Sequence, residues 1–198
     1  MIFPTFKVFL SKIFVLLFLS TVFTGCENEV KDDFNDVSID LVDQNGDPFN
    51  FPADLKGQPV LMGFVYINCP DICSFITANL YKVYSEMGEP EDIHFIVATF
   101  DPERDTPEEL KHYASMFNMD QPPFRFLTGS PDQVDALMER VGVRTDVSYT
   151  KETDDGEELY FMNHSDKILL IDQNAQLIFD YGGSMTPTNI LIEDLEKL

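Results

Sequence analysis

Apolar residues change their spacing along this chain in step with candidate turns. Behind Lys7 and Lys12, Ile13 to Phe23 is mostly apolar. The run falls well short of the about 20 residues that cross a bilayer, so it predicts the core of a signal peptide. Val37, Ile39 and Leu41 then alternate with polar residues, the pattern of a half-buried strand. Gln44-Asn45-Gly46-Asp47 follows as a turn, and Asn-Gly is a strong hairpin signal. Val60 to Ile67 and Ile93 to Phe100 are continuous apolar runs, as expected for strands buried on both faces.

The intervening segments carry helix signals. Pro70 predicts the opening of a helix through about Met87, because proline suits a first helical position. Thr106-Pro107-Glu108-Glu109 forms a capping box that starts a helix to about Phe117. Pro131 to Val141 and Pro187 to Leu198 read as two more helices. Lys167–Asp172 and Gln176–Tyr181 read as strands joined by a tight turn. Strands alternating with helices favour a parallel sheet covered on both faces. The order of elements is that of an α/β, thioredoxin-like fold. It implies a central mixed sheet flanked by helices, with an added N-terminal β-hairpin.

Composition sets the boundaries. A chain of 198 residues, 44% hydrophobic and 24% charged, fits one globular domain. The expected division is a signal peptide over 1–25, a tether over 26–35 and the domain over 36–198. Glu27 to Phe34 is acidic with little apolar content, hence the tether. Thr24-Gly25-Cys26 behind the apolar run resembles a bacterial lipobox. That resemblance implies cleavage before Cys26, lipid on its sulfur and an extracytoplasmic domain anchored to a bacterial membrane. The net charge of −22 repels nucleic acid and anionic headgroups. The domain is expected to be a monomer.

With Cys26 set aside, one cysteine pair remains, Cys69 and Cys73. Both sit where a buried strand turns into a helix, and binding sites in α/β sheets gather at the carboxyl ends of strands. A helix N-terminus there would favour a thiolate at Cys69. Residues four apart on a helix have Cα atoms roughly 6 Å apart. That separation permits a disulfide, a redox couple or two thiolates on one ion. His164 lies just before the strand Lys167–Asp172, where thioredoxin-like reductases carry a cis-proline facing their cysteines; residues 161–166 contain no proline. Two thiolates and an imidazole form a soft ligand set that suits copper, Cu(I) especially, or zinc.

Cys69-Pro70-Asp71-Ile72-Cys73, Asp101-Pro102-Glu103-Arg104-Asp105-Thr106-Pro107 and His164-Ser165, with Ile168-Leu169-Leu170-Ile171-Asp172 behind it, resemble the Sco/SenC family. The resemblance runs from about Val37 to the C-terminus. It implies a copper site, Cu(I) or Cu(II), made by Cys69, Cys73 and His164. It also implies delivery of copper to, or reduction of the thiols of, the dinuclear copper site of cytochrome c oxidase. Ser74, where many members carry proline, and the acidic insert around Thr153–Glu158 are departures that touch no ligand position.

Other residues have a weaker claim on the site. Asp101 ends the second buried strand and could hydrogen-bond near the metal or serve as a turn residue. Asp71 could act on the loop by charge, although acids in a first helical turn are ordinary. His94 and His112 read as structural, and Met162 and Met185 as gap fillers that could touch Cu(I) transiently. Tyr149 to Tyr160 reads as an exposed, mobile hairpin that swings His164. The leading function is a copper metallochaperone for oxidase assembly. Alternatives are a thiol–disulfide oxidoreductase attacking through Cys69, or a redox or copper sensor. Peroxidase signals are missing: Tyr66 stands where peroxiredoxins place threonine, and the chain has no tryptophan.

Overall fold

The computed structural model describes residues 29–152 and 158–198. The expected signal peptide and Cys26 therefore lie outside the described residues. Among those described, no helix is long and apolar enough to cross a membrane.

Eight strands form one mixed sheet. In chain order they are β1 (Asp32–Asp33), β2 (Ile39–Asp43), β3 (Pro48–Phe51), β4 (Val60–Val65), β5 (His94–Thr99), β6 (Phe124–Thr128), β9 (Ile168–Ile171) and β10 (Gln176–Tyr181). Their spatial order is β1-β10-β9-β4-β5-β6-β2-β3. The centre, β4-β5-β6, is parallel, and β9 joins β4 antiparallel with Gly63 opposite Ile168. Every residue of β4 is buried, which explains its unbroken apolar sequence. Four helices pack on the sheet: α1 (Cys73–Glu86), α2 (Pro107–Met116), α3 (Pro131–Val141) and α4 (Thr188–Leu195). The expected capping box at Thr106 reduces to a hydroxyl accepting the Glu109 N–H. A full capping box closes Ser130 onto Gln133 at the start of α3, and Gly142 ends that helix in the left-handed region.

The mixed α/β thioredoxin-like architecture and the added β2–β3 hairpin are as expected from sequence. Four details differ. First, Phe34 does not belong to a loose tether: it is fully buried, and Asp32–Asp33 pairs with β10. Arg140 of α3 holds this segment through Asp32 at 2.6 Å and Asp36 at 2.9 Å, with its guanidinium over the Phe34 ring. Second, α1 begins at Cys73, not Pro70; the Cys69 N–H donates to the Tyr66 carbonyl in a turn before it. Third, β6 is a further parallel strand between α2 and α3, where no strand is expected from the sequence above. Fourth, the hairpin expected over Tyr149 to Tyr160 is present but longer, a two-stranded ribbon of β7 (Thr145–Glu152) against β8 (Glu158–His164) that runs to His164 itself.

Candidate metal centre

Three loops meet at the carboxyl edge of β4. The first leaves β4 at Val65 and carries Cys69 to the first residue of α1, Cys73. The second is the end of β8, which delivers His164 just before β9. The third follows β10, whose Tyr181 pairs with Ile168 at the same edge. The antiparallel addition of β9 to β4 is what brings His164 to the cysteines, since the start of β9 faces the end of β4.

The donor atoms of Cys69, Cys73 and His164 all lie within 4.8 Å of one another. His164 Nε2 is 3.8 Å from Cys69 Sγ and 3.5 Å from Cys73 Sγ. Both cysteines are free thiols; Cys73 is buried and Cys69 is half-buried. Burial, and then a hydrogen bond with Cys69, push the Cys73 thiol far above its ordinary range. The His164 ring rests against Phe100 at 4.8 Å and stands edge-on to Tyr66 at 6.0 Å. Its Nδ1 lies 3.0 Å from the Ser165 carbonyl, an acceptor only, so Nδ1 carries the proton and Nε2 is left as a donor for a metal. Two sulfurs and one such nitrogen at this spacing suit a soft ion in a three-donor site.

Further side chains stiffen this edge. The Tyr113 hydroxyl lies 3.1 Å from Thr77 Oγ1, and Thr77 donates to the Cys73 carbonyl at 3.3 Å. The first turn of α1 is thereby tied to α2. The Tyr66 hydroxyl accepts the Met162 N–H at 3.3 Å, so the base of the cysteine loop also holds β8.

Of the other candidates, Asp71 is exposed and Asp101 is buried away from the sulfurs' own hydrogen bonds. Asp101 accepts the Tyr160 hydroxyl at 2.6 Å and pairs with Arg104. His94 sits at the opposite end of the parallel strands, and His112 is exposed on α2. Met162 is half-buried against the core, whereas Met185 is 83% exposed in the loop after β10.

Asp105 was missed. It is fully buried and accepts the Ile67 N–H at 3.1 Å and the Thr99 hydroxyl at 2.5 Å. Its Oδ1 finds no hydrogen-bond partner among the described residues. Burial raises its pKa from 3.8 to about 6. The Asp-Thr-Pro start of α2 could have flagged it only as a residue just outside a helix.

Comparison with known proteins agrees with this geometry. The SCO1/SenC family model matches residues 27–198. A SCO2-like protein of Rickettsia typhi is 33% identical over 172 residues, covering 84% of this chain and 81% of its own. A SCO1/SenC family lipoprotein from Bacillus anthracis superposes with a TM-score of 0.67 at 28% identity, over 84% of this chain and 95% of that one. Bradyrhizobium japonicum ScoI with copper bound gives 0.65 at 27% identity, over 81% and 97%. The chain belongs to the SCO1/SenC family.

Proposed function

We propose that this protein binds copper through Cys69, Cys73 and His164 and hands it to the dinuclear copper site of cytochrome c oxidase. The observation that carries the reading is the convergence of the three soft donors within 4.8 Å at one sheet edge. The copper-bound ScoI relative supports copper over zinc. Cys69, Cys73 and His164 would hold copper through thiolate and imidazole donors that a second set of soft ligands could displace stepwise. The chain's own part is to present Nε2 unprotonated and to surrender the Cys73 proton as the ion enters. Anchoring through lipid on Cys26 outside the cytoplasm belongs to the same reading, on the strength of the lipobox and the lipoprotein relative.

A second reading is thiol–disulfide exchange on a partner's copper-site cysteines. The asymmetry of the pair favours it: Cys69 is accessible and Cys73 is buried beside it. Cys69 thiolate would attack the partner disulfide, and Cys73 would then release the partner as a dithiol, leaving Cys69 and Cys73 oxidised.

The deciding experiment is copper titration of the reduced protein, wild type against His164→Ala, read by the Cu(II) absorption spectrum. The expected result is one equivalent bound, with an intense thiolate-to-copper band that His164→Ala shifts or removes. No copper binding, with the two cysteines cycling between dithiol and disulfide, would transfer the function to thiol exchange.

A further inference from the structure

We propose that the turn Asp101–Asp105 is a bracket that sets the distance between the cysteine loop and His164. The proposal rests on the copper reading of the site and assigns the turn no ligand.

One end of the bracket grips the cysteine side. Asp105 Oδ2 accepts the N–H of Ile67, two residues before Cys69, at 3.1 Å, and it is fixed in turn by Thr99 of β5. The other end grips the histidine side. Asp101 Oδ1 accepts the hydroxyl of Tyr160, four residues before His164, at 2.6 Å. Arg104 pairs with Asp101, donates to the Tyr160 carbonyl at 3.1 Å, and lays its guanidinium 3.5 Å from the centre of the Tyr160 ring. The turn itself is closed by the Asp105 N–H donating to the Asp101 carbonyl at 2.9 Å.

This geometry matters because, among the described residues, little else holds the β7–β8 ribbon. Its two strands pair only with each other, apart from the large sheet. Seven of the eight residues of β7 are exposed. Among the described residues, the ribbon is fastened near His164 by the Asp101–Arg104–Tyr160 clasp, the Tyr66 hydroxyl on the Met162 N–H, and the Phe100 and Tyr66 rings against the imidazole. The clasp is the only one of these built from charged groups, and Asp101 is 3% exposed, so its ion pair is shielded from solvent. Opening the clasp frees β8 and so the imidazole, while both thiols keep their places on α1 and its turn. Asp101, Arg104 and Tyr160 are positioning residues: they act on the metal through His164 alone.

A double-mutant cycle tests this. Copper affinity and the thiolate-to-copper band are measured for wild type, Asp101→Asn, Tyr160→Phe, His164→Ala and each clasp variant combined with His164→Ala. Each clasp change alone should weaken copper binding about tenfold, within the range seen when groups supporting a metal ligand are removed, and move the band toward that of His164→Ala. In the His164→Ala background the same changes should do nothing further. Unchanged affinity and spectrum in the single variants would overturn the bracket, and so would an equal loss in both backgrounds. Tyr160→Phe deletes one hydroxyl and keeps the ring on Arg104, so it reports even if Asp101→Asn does not fold. Amide exchange in the metal-free protein gives a readout that needs no copper. Exchange at residues 159–163 should quicken in Tyr160→Phe, and unchanged exchange there would also sink the proposal. A wild type that binds no copper, with quickened exchange in Tyr160→Phe, would reject the copper reading and leave the bracket standing.

Discussion

His164 Nε2 lies 3.5 Å from Cys73 Sγ, across 91 positions of sequence. The contact depends on which ring nitrogen holds the proton. The carbonyl of Ser165 can only accept, so its 3.0 Å approach to Nδ1 selects the Nδ1–H tautomer. Long-range nitrogen–proton NMR of the metal-free protein should show the neutral His164 protonated at Nδ1, and copper should perturb Nε2. A neutral ring protonated at Nε2 would contradict the assigned donor.

The two thiols should differ in reactivity. Cys73 is buried at the start of α1, and burial disfavours its thiolate. Cys69 is partly open in the preceding turn. Brief treatment of the reduced, metal-free protein with iodoacetamide near neutral pH should label Cys69 first, as read by peptide mass spectrometry. Copper, once bound, should protect both. Preferential labelling of Cys73 would reverse the roles given to the pair.

Asp105 gives the fold a pH dependence with a definite sign. Its carboxyl ionises near 3.8 when unfolded, and burial in the fold raises that to about 6. Between those values the unfolded chain has lost the proton and the folded one retains it, so stability falls as pH rises through this window. The shift corresponds to at most about 3 kcal/mol. Asp105→Asn cannot ionise and escapes the loss. Denaturant unfolding of the metal-free reduced protein should show the variant gaining on wild type by up to about that amount between about pH 4 and pH 7. A difference that stays flat would mean that Asp105 ionises as an ordinary surface carboxylate does.

What the sequence disclosed follows from chemical distinctiveness. Cys69, Cys73 and His164 stood out because thiols and imidazoles are scarce in this chain and sat at strand ends. The buried strands β4 and β5 stood out as unbroken apolar runs. Hidden features were those whose signal is tertiary. Asp105 looks like any acid beside a helix start until Ile67 and Thr99 fold onto it. Phe34, a lone aromatic in an acidic stretch, gave no periodicity, yet it packs against Phe51 at 5.2 Å. Pro70 carries a true start signal, but its turn serves to raise Cys69 away from α1, and the helix waits for Cys73. The register of β9 on β4, which joins the two halves of the site, has no local signature at all.

The close seating of α1 on β4 rests on Gly63, and this is testable by packing alone. A Cβ at Gly63 would stand 2.6 Å from Ile76 Cγ2 and 3.3 Å from Leu80 Cδ1. Ile76 and Leu80 are fully buried on the helix that begins with Cys73, so neither has free volume to yield. Gly63→Ala should cost about 1–3 kcal/mol by overpacking and lower Tm by about 2–4 °C per kcal/mol for a domain of this size. Ile76→Ala removes the clashing methyl and leaves a cavity, at a cost of about 2–5 kcal/mol alone. Because the new methyl occupies part of that cavity, the double variant should be more stable than the sum of the two losses. Strict additivity in thermal unfolding would show that the helix shifts away from the strand instead. Cys73 would then move with it, and copper binding should weaken in Gly63→Ala by a route that leaves His164 in place.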